Sequence, residues 1–197
     1  MYPDAFLDTL QSRLVRQPAV QAAPGDRLAG VCLLLVNGEG NGDGEEPSVV
    51  FTKRAEDLSR HPGEISFPGG IEHAEDEDLA ATALRELEEE LGVAPAHVRI
   101  LGALAPIQTY VSAVLMVPFI GVMSSPRPEF RPNPGEIAVV FQTPVRELMR
   151  IEELVDMDER GVHFQTWVYE VDGHTIWGAT GHVLHEFLDV MREMSPA

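Results

Sequence analysis

The residues best placed to do chemistry lie in one run, Arg85-Glu86-Leu87-Glu88-Glu89-Glu90-Leu91-Gly92-Val93. On a helix, Glu86 and Glu90 stand one turn apart and share a face, and Glu89, three residues from Glu86, flanks them. Like charges at this spacing destabilise a bare helix by roughly 0.2–0.5 kcal/mol per pair, and acidic side chains near a C-terminus oppose the helix dipole. A sequence that accepts both costs has something positive to hold. Hard divalent cations such as Mg2+ take carboxylate oxygens, keep several waters and suit a phosphate substrate. Arg85 is spaced to pair with Glu89 one turn on and so to fix the carboxylate geometry. Taken alone, the charge run is more simply a solvated acidic helix face.

A second stretch carries the opposite charge. Lys53, Arg54, Arg60 and His61 form the densest basic cluster in a chain with 14 Lys+Arg against 32 Asp+Glu and a formal net charge of -18. Such a cluster suits a phosphate that no metal covers, although each residue also fits an ordinary surface charge. The overall charge repels polyanions at long range, which argues against a nucleic-acid groove binder. No run of about 18 apolar residues exists to span a membrane. The N-terminus, Met1-Tyr2-Pro3-Asp4, has neither the basic nor the apolar region of a secretory signal. Cys32 is the single cysteine, so no internal disulfide forms, which suits a reducing cytoplasm. Its apolar neighbours Val31 and Leu33 to Val36 mark it as buried packing rather than a nucleophile. His73 reads as an exposed loop histidine, and Trp167 and Trp177 as core or strand-pair aromatics rather than an adenine platform.

These residues need elements to hold them. With 197 residues, 44% hydrophobic and 23% charged, the chain fits one globular domain with a short extension. Helical spacing of apolar residues predicts a helix over 6–15, and Pro18, Pro24 and Gly25 mark a linker after it. The apolar run 28–36 predicts a buried strand. A polar turn over 37–44 leads to a second strand from Val49, so the two form a hairpin. The clearest helix is 78–91, with Ala80, Ala83, Leu84, Leu87 and Leu91 on one face and Gly92 as its stop. Strands are expected at 98–101 and 114–122, where Pro118 suggests an irregular or edge position. A proline-rich loop over 124–134 follows, then an apolar stretch 137–141 and a short helix 144–151. Paired strands at 164–171 and 175–177 flank Asp172-Gly173, and an amphipathic helix over 181–194 closes the chain. Interleaved strands and helices argue for an α/β protein with its sheet sandwiched between helices.

The acidic run and the loop before it resemble the Nudix box: Gly, five residues, Glu, seven residues, then Arg-Glu-aliphatic-any-Glu-Glu-any-Gly-aliphatic. The half from Arg85 to Val93 matches at every fixed position. Counting back from Arg85 places the first box acid at Glu77, one residue too far from Gly70, so either the loop carries an extra residue or Asp76 takes the role. The resemblance implies a Nudix hydrolase, an α/β/α sandwich with a mixed sheet between helices. Residues 27–194 are then the Nudix domain, and 1–26 the N-terminal helix and linker. That helix either caps the domain or contacts a second subunit, which leaves a homodimer open.

The stretch before the box is similar to that of coenzyme A pyrophosphatases. Thr52, Arg54, Gly63, Phe67, Pro68, Gly69 and Gly70 fit that pattern, while Ala55 replaces a Ser and Ser59, beside Arg60, stands where a second Arg is expected. Asn133-Pro134-Gly135-Glu136-Ile137 with Val140-Phe141, and Ile176-Trp177-Gly178-Ala179-Thr180, also look like stretches of that subfamily. The resemblance implies an Mg2+- or Mn2+-dependent enzyme that cleaves coenzyme A to 3′,5′-ADP and 4′-phosphopantetheine. Glu86, Glu90 and Glu89 are its expected metal ligands. Glu89 or Glu136 would accept a proton from water, and Arg85 completes the catalytic group. Arg54, Arg60, Lys53 and Gly70 are the expected substrate-binding residues, with Arg54 or Arg60 on the 3′-phosphate. The alternatives are another Nudix substrate, such as ADP-ribose, a dinucleoside polyphosphate (where Tyr110 would fit) or an oxidised nucleotide, and a non-catalytic acidic binding protein on the same fold.

Overall fold

A computed structural model describes residues 2–16, 18–37, 46–109, 113–124, 129–159 and 161–194. The polar turn from residue 38 on, Tyr110 and residues 125–128 of the proline-rich loop lie outside the described residues. The apolar run 28–36 forms β1 (Arg27–Asn37), and its alternation divides the core in two. Val31, Leu33 and Leu35 face one side, while Cys32, Leu34 and Val36 face the other. A strand buried on both faces reads as continuous hydrophobicity, as this one does. Burial pushes the Cys32 thiol up to about 12, so it is the inert packing residue expected.

The hairpin expected after β1 is present: β2 (Pro47–Arg54) pairs antiparallel to it, with Leu35 opposite Val49. Two short strands follow, β3 (Ile65–Ser66) on β2 and β4 (Gly69–Ile71) on β1. Helix α2 (Leu79–Leu91) packs Leu79, Ala83, Leu87 and Leu91 onto the Cys32 face of the sheet. Strands β5 (Val98–Ala103), β6 (Ile107–Thr109) and β7 (Val114–Met123) continue the sheet. β7 lies parallel to β1 and antiparallel to β5 and β6, so the sheet is mixed. Strand β8 (Ile137–Pro144) joins the outer side of β2. The opposite face is covered by α1 (Asp4–Arg13), α3 (Val145–Ile151) and α4 (Gly178–Met194). A second sheet, β9 (Glu153–Glu159), β10 (Val162–Val171) and β11 (His174–Ile176), packs Tyr169, Val171 and Ile176 into this layer. The result is the α/β/α sandwich expected. No helix among the described residues is long and apolar enough to cross a membrane.

Some local expectations shift. Of the two positions expected for Pro118, irregular or edge, the irregular one holds, since its strand is interior. The β5–β6 side of β7 is interrupted there, with Ala103 opposite Phe119 and Ile107 opposite Met116, and the proline's missing N–H falls at that break. Strand β9 was not expected, because its acidic residues hide the pattern. Pro144 caps α3 from outside instead of opening its first turn.

Candidate active site

Helix α2 is locally over-determined. The Asp78 side chain accepts the Ala81 N–H at 2.8 Å, a standard N-cap. At the other end Gly92 takes the left-handed conformation (φ 68°) and donates its N–H to Glu88 O. Between these stops the helix places its acids at different depths. Glu90 is 2% exposed, the Glu86 side chain 13% and the Glu89 side chain 54%. Glu86 and Glu90 therefore form the inner pair, and Glu89 stands at the rim.

Burial penalises the charged form and pushes Glu90 up to about 8. The Glu86 charge adds to the rise, against the opposing Arg54 charge and the Gly69 N–H. Glu86 is also raised, by burial first, with Arg85 opposing. Glu90 Oε2 is buried and has no hydrogen-bond partner among the described residues. A buried carboxylate oxygen without a donor is costly and points to an absent positive partner.

Arg85 is the strut that aims this face. It donates to Glu86 Oε1 at 2.8 Å, to Glu89 Oε2 at 3.3 Å and to Ile71 O at 3.1 Å. Two further bonds, at 3.0 and 3.1 Å, grip both oxygens of Asp76. Asp76 also accepts the His73 N–H and the Thr82 hydroxyl, and the Arg85 bonds foremost hold its carboxyl well below the usual carboxylate range. Glu77 is exposed. Asp76, with the regular five residues between it and Gly70, is thus the acid that engages Arg85, and the additional residue falls between Asp76 and Arg85. The loop also approaches the helix closely: a Cβ on Gly70 would lie 2.4 Å from Glu86 Oε1. Gly70 makes room for the carboxylate.

Glu136 reaches this face from far along the chain. The segment before it is tied to the C-terminal end of α2, with Arg131 N–H on Leu91 O at 2.8 Å and Asn133 N–H on Glu90 O at 2.9 Å. These bonds satisfy carbonyls that a helix end leaves open. The Ala55 N–H donates to Glu136 O at 2.8 Å, which joins the segment to the end of β2. The Glu136 charge adds to the upward push on both Glu86 and Glu90, so the three carboxylates share one region.

The four basic residues differ in what they meet. The Arg54 charge acts on Glu90, and its buried Nε has no partner among the described residues. Lys53 pairs with Glu56 at 2.9 Å and His61 with Glu64 at 2.9 Å. Arg60 is exposed and makes no ion pair with a described residue. His73 is exposed, and the Trp167 ring stacks on His185, with centroids 3.8 Å apart, over α4. Sequence reasoning had no signal that the Arg54 charge acts on Glu90.

Among the described residues, no three His, Cys, Asp or Glu side chains form a ready-made cage for an ion. Mg2+ is usually held by one or two carboxylates together with substrate phosphates. Two inner carboxylates that repel each other, one with an orphaned oxygen, fit that description.

The family model described as NUDIX domain matches residues 26–167. A protein of Enterobacter sp. (strain 638), called "Uncharacterized Nudix hydrolase NudL", is 32% identical over 187 residues, 93% of each chain. Its namesake from Photorhabdus laumondii subsp. laumondii is 33% identical over 143 residues, 72% of this chain and 75% of that protein. Among solved structures, the MutT protein from Methanosarcina mazei Go1 is similar with a TM-score of 0.56 at 13% identity, covering 90% of this chain and all of that one.

Proposed function

We propose a function for this chain from the fact that it belongs to the NUDIX domain family. It is a Nudix hydrolase, and we read it as a coenzyme A pyrophosphohydrolase that releases 3′,5′-ADP and 4′-phosphopantetheine. The observation that carries the chemistry is the inner pair, Glu90 buried and Glu86 partly so, mutually repelling and with an unpartnered oxygen on Glu90. These two residues would hold Mg2+ or Mn2+, with Glu89 at the rim as a further ligand. Bound there, the metal supplies Lewis acidity and neutralises pyrophosphate charge.

The chain's own residues do the rest. Arg85 keeps Glu86 in place through the Asp76 clasp and acts as a positioning residue. Arg54, whose charge acts on Glu90 and whose Nε is free of described partners, would take a pyrophosphate oxygen. Glu136 accepts a proton from the attacking water. Its Oε1 receives the Asn133 amide at 3.2 Å, which leaves Oε2 for that proton. Water oxygen attacks one phosphorus, the P–O–P bond breaks, and the bridging oxygen leaves with the other phosphate.

Support for coenzyme A comes from Thr52, Arg54, Gly63 and the Phe67-Pro68-Gly69-Gly70 loop, together with the exposed, unengaged Arg60, which suits a 3′-phosphate outside the metal's reach. The test is a panel of coenzyme A, dephospho-CoA, ADP-ribose and diadenosine tetraphosphate with Mg2+ or Mn2+, with products separated. Coenzyme A should be cleaved fastest. Faster cleavage of ADP-ribose or of the dinucleotide would move the substrate assignment elsewhere in the family, and no hydrolysis of any member would favour a binding protein.

A further inference from the structure

We propose that Asn133 is a positioning residue of the hydrolytic site: its side-chain amide holds the Glu136 carboxylate against the Glu86–Glu90 face. The inference rests on the reading of Glu136 as the proton acceptor.

Asn133 is fastened on every polar atom it has. Its N–H donates to Glu90 O at 2.9 Å, and its carbonyl accepts the N–H groups of Glu136 at 3.0 Å and Ile137 at 2.8 Å. Its side-chain Oδ1 accepts the Gly135 N–H at 3.1 Å, and its Nδ2 donates to Glu136 Oε1 at 3.2 Å. The bond from Gly135 settles which end of the amide is oxygen, because a backbone N–H needs an acceptor. The donor end then faces Glu136 of necessity. One residue thereby binds the backbone of the helix that carries Glu90 and the carboxylate that must work beside it.

The physical need is plain from the charges. Glu86, Glu90 and Glu136 push on one another. Without a donor, the Glu136 side chain would relieve that repulsion by turning away. A lysine or arginine at this position would hold it but would also neutralise a proton acceptor. A neutral amide on a short side chain supplies attraction without cancelling the charge, and its second end locks the turn that presents it.

Asn133→Asp separates this role from folding. It keeps Oδ1, hence the bond from Gly135, and all the main-chain bonds, but replaces the donor facing Glu136 with a second carboxylate oxygen. Wild type, N133D, E136Q and N133D/E136Q are compared with Mg2+ on the panel substrate cleaved fastest, with kcat, KM and thermal midpoint recorded. N133D should lower kcat roughly 10–30-fold with KM within about twofold, and in the E136Q background it should cost no more than about twofold. A kcat for N133D within twofold of wild type, while E136Q is impaired, would overturn this proposal alone. So would an equal fold-loss in both backgrounds, since Asn133 would then act independently of Glu136. A near-normal E136Q would remove the proton-acceptor reading and this inference with it. If N133D does not fold, N133A run through the same four-way comparison gives the same decision.

Discussion

Replacing Glu90 with Gln should make the metal-free protein more stable, and the gain should depend on pH. Glu90 is 2% exposed, and its carboxyl is raised from 4.5 to about 8, chiefly by burial and then by Glu86. An acid raised on folding binds more protons folded than unfolded between those two values, so stability must fall as pH rises through the window. Below 4.5 both states are protonated and the glutamate costs nothing; above about 8 the full penalty applies. At about 1.4 kcal/mol per pKa unit the ceiling is on the order of 4–5 kcal/mol. Relaxation and water entry around a buried charge reduce this, and we expect a difference of about 2–4 kcal/mol. Gln has the same shape and no charge to desolvate. Urea unfolding of wild type and E90Q in EDTA, from pH 5 to pH 9, measures the difference directly. The two should coincide near pH 5, and E90Q should be the more stable at pH 9. Added Mg2+ should reverse the order, because a ligand that binds only the folded wild type stabilises it. Equal stability at every pH would mean that Glu90 is not the strained, ion-awaiting carboxylate described here.

Arg54→Ala should lower kcat/KM roughly 10–100-fold on coenzyme A and dephospho-CoA alike, whereas Arg60→Ala should impair coenzyme A selectively, and steady-state kinetics on both substrates reads the contrast. A loss confined to coenzyme A for Arg54→Ala would place that arginine at the 3′-phosphate instead. Asp76→Asn, which weakens the Arg85 clasp, should cut turnover at least about tenfold, while Glu77→Gln should leave it unchanged. The reverse result would return the box acid to position 77. Tyr169→Phe removes the hydroxyl that donates to Glu152 Oε1 at 2.6 Å on the sheet face away from α2. It should cost about 1–2 kcal/mol in urea unfolding and leave kcat at 25 °C untouched.

The sequence showed the local parts of this site plainly and the non-local parts hardly at all. The i,i+4 pair Glu86 and Glu90, the Leu87 and Leu91 face and the Gly92 stop follow from helical periodicity, and the helix has them where that periodicity places them. The alternation within β1 is equally direct, since a continuous apolar run must be covered on both faces. The depth of each carboxylate was not legible, because spacing gives a shared face and only packing decides that Glu90 is buried while Glu89 is half exposed. Asp76 is preferred to Glu77 because the turn from His73 to Asp76 points one side chain inward. Arg54 and the three other basic residues look like one patch in sequence, yet local acids engage Lys53 and His61, the Arg54 charge acts on Glu90, and Arg60 stays exposed. Strand β9 was missed because Glu153, Asp156 and Asp158 break its apolar pattern, while its register with β10 is set by tertiary pairing.

The central claim is that the Glu86–Glu90 face of α2 makes this chain a metal-dependent pyrophosphohydrolase. It is tested most directly by the rate of coenzyme A hydrolysis at saturating Mg2+ for wild type, Glu86→Gln and Glu90→Gln, with each fold verified by its thermal midpoint. Wild type should release 3′,5′-ADP and 4′-phosphopantetheine, and each variant should remain folded and lose on the order of 100-fold or more in turnover. Near-normal turnover in both folded variants would contradict the claim.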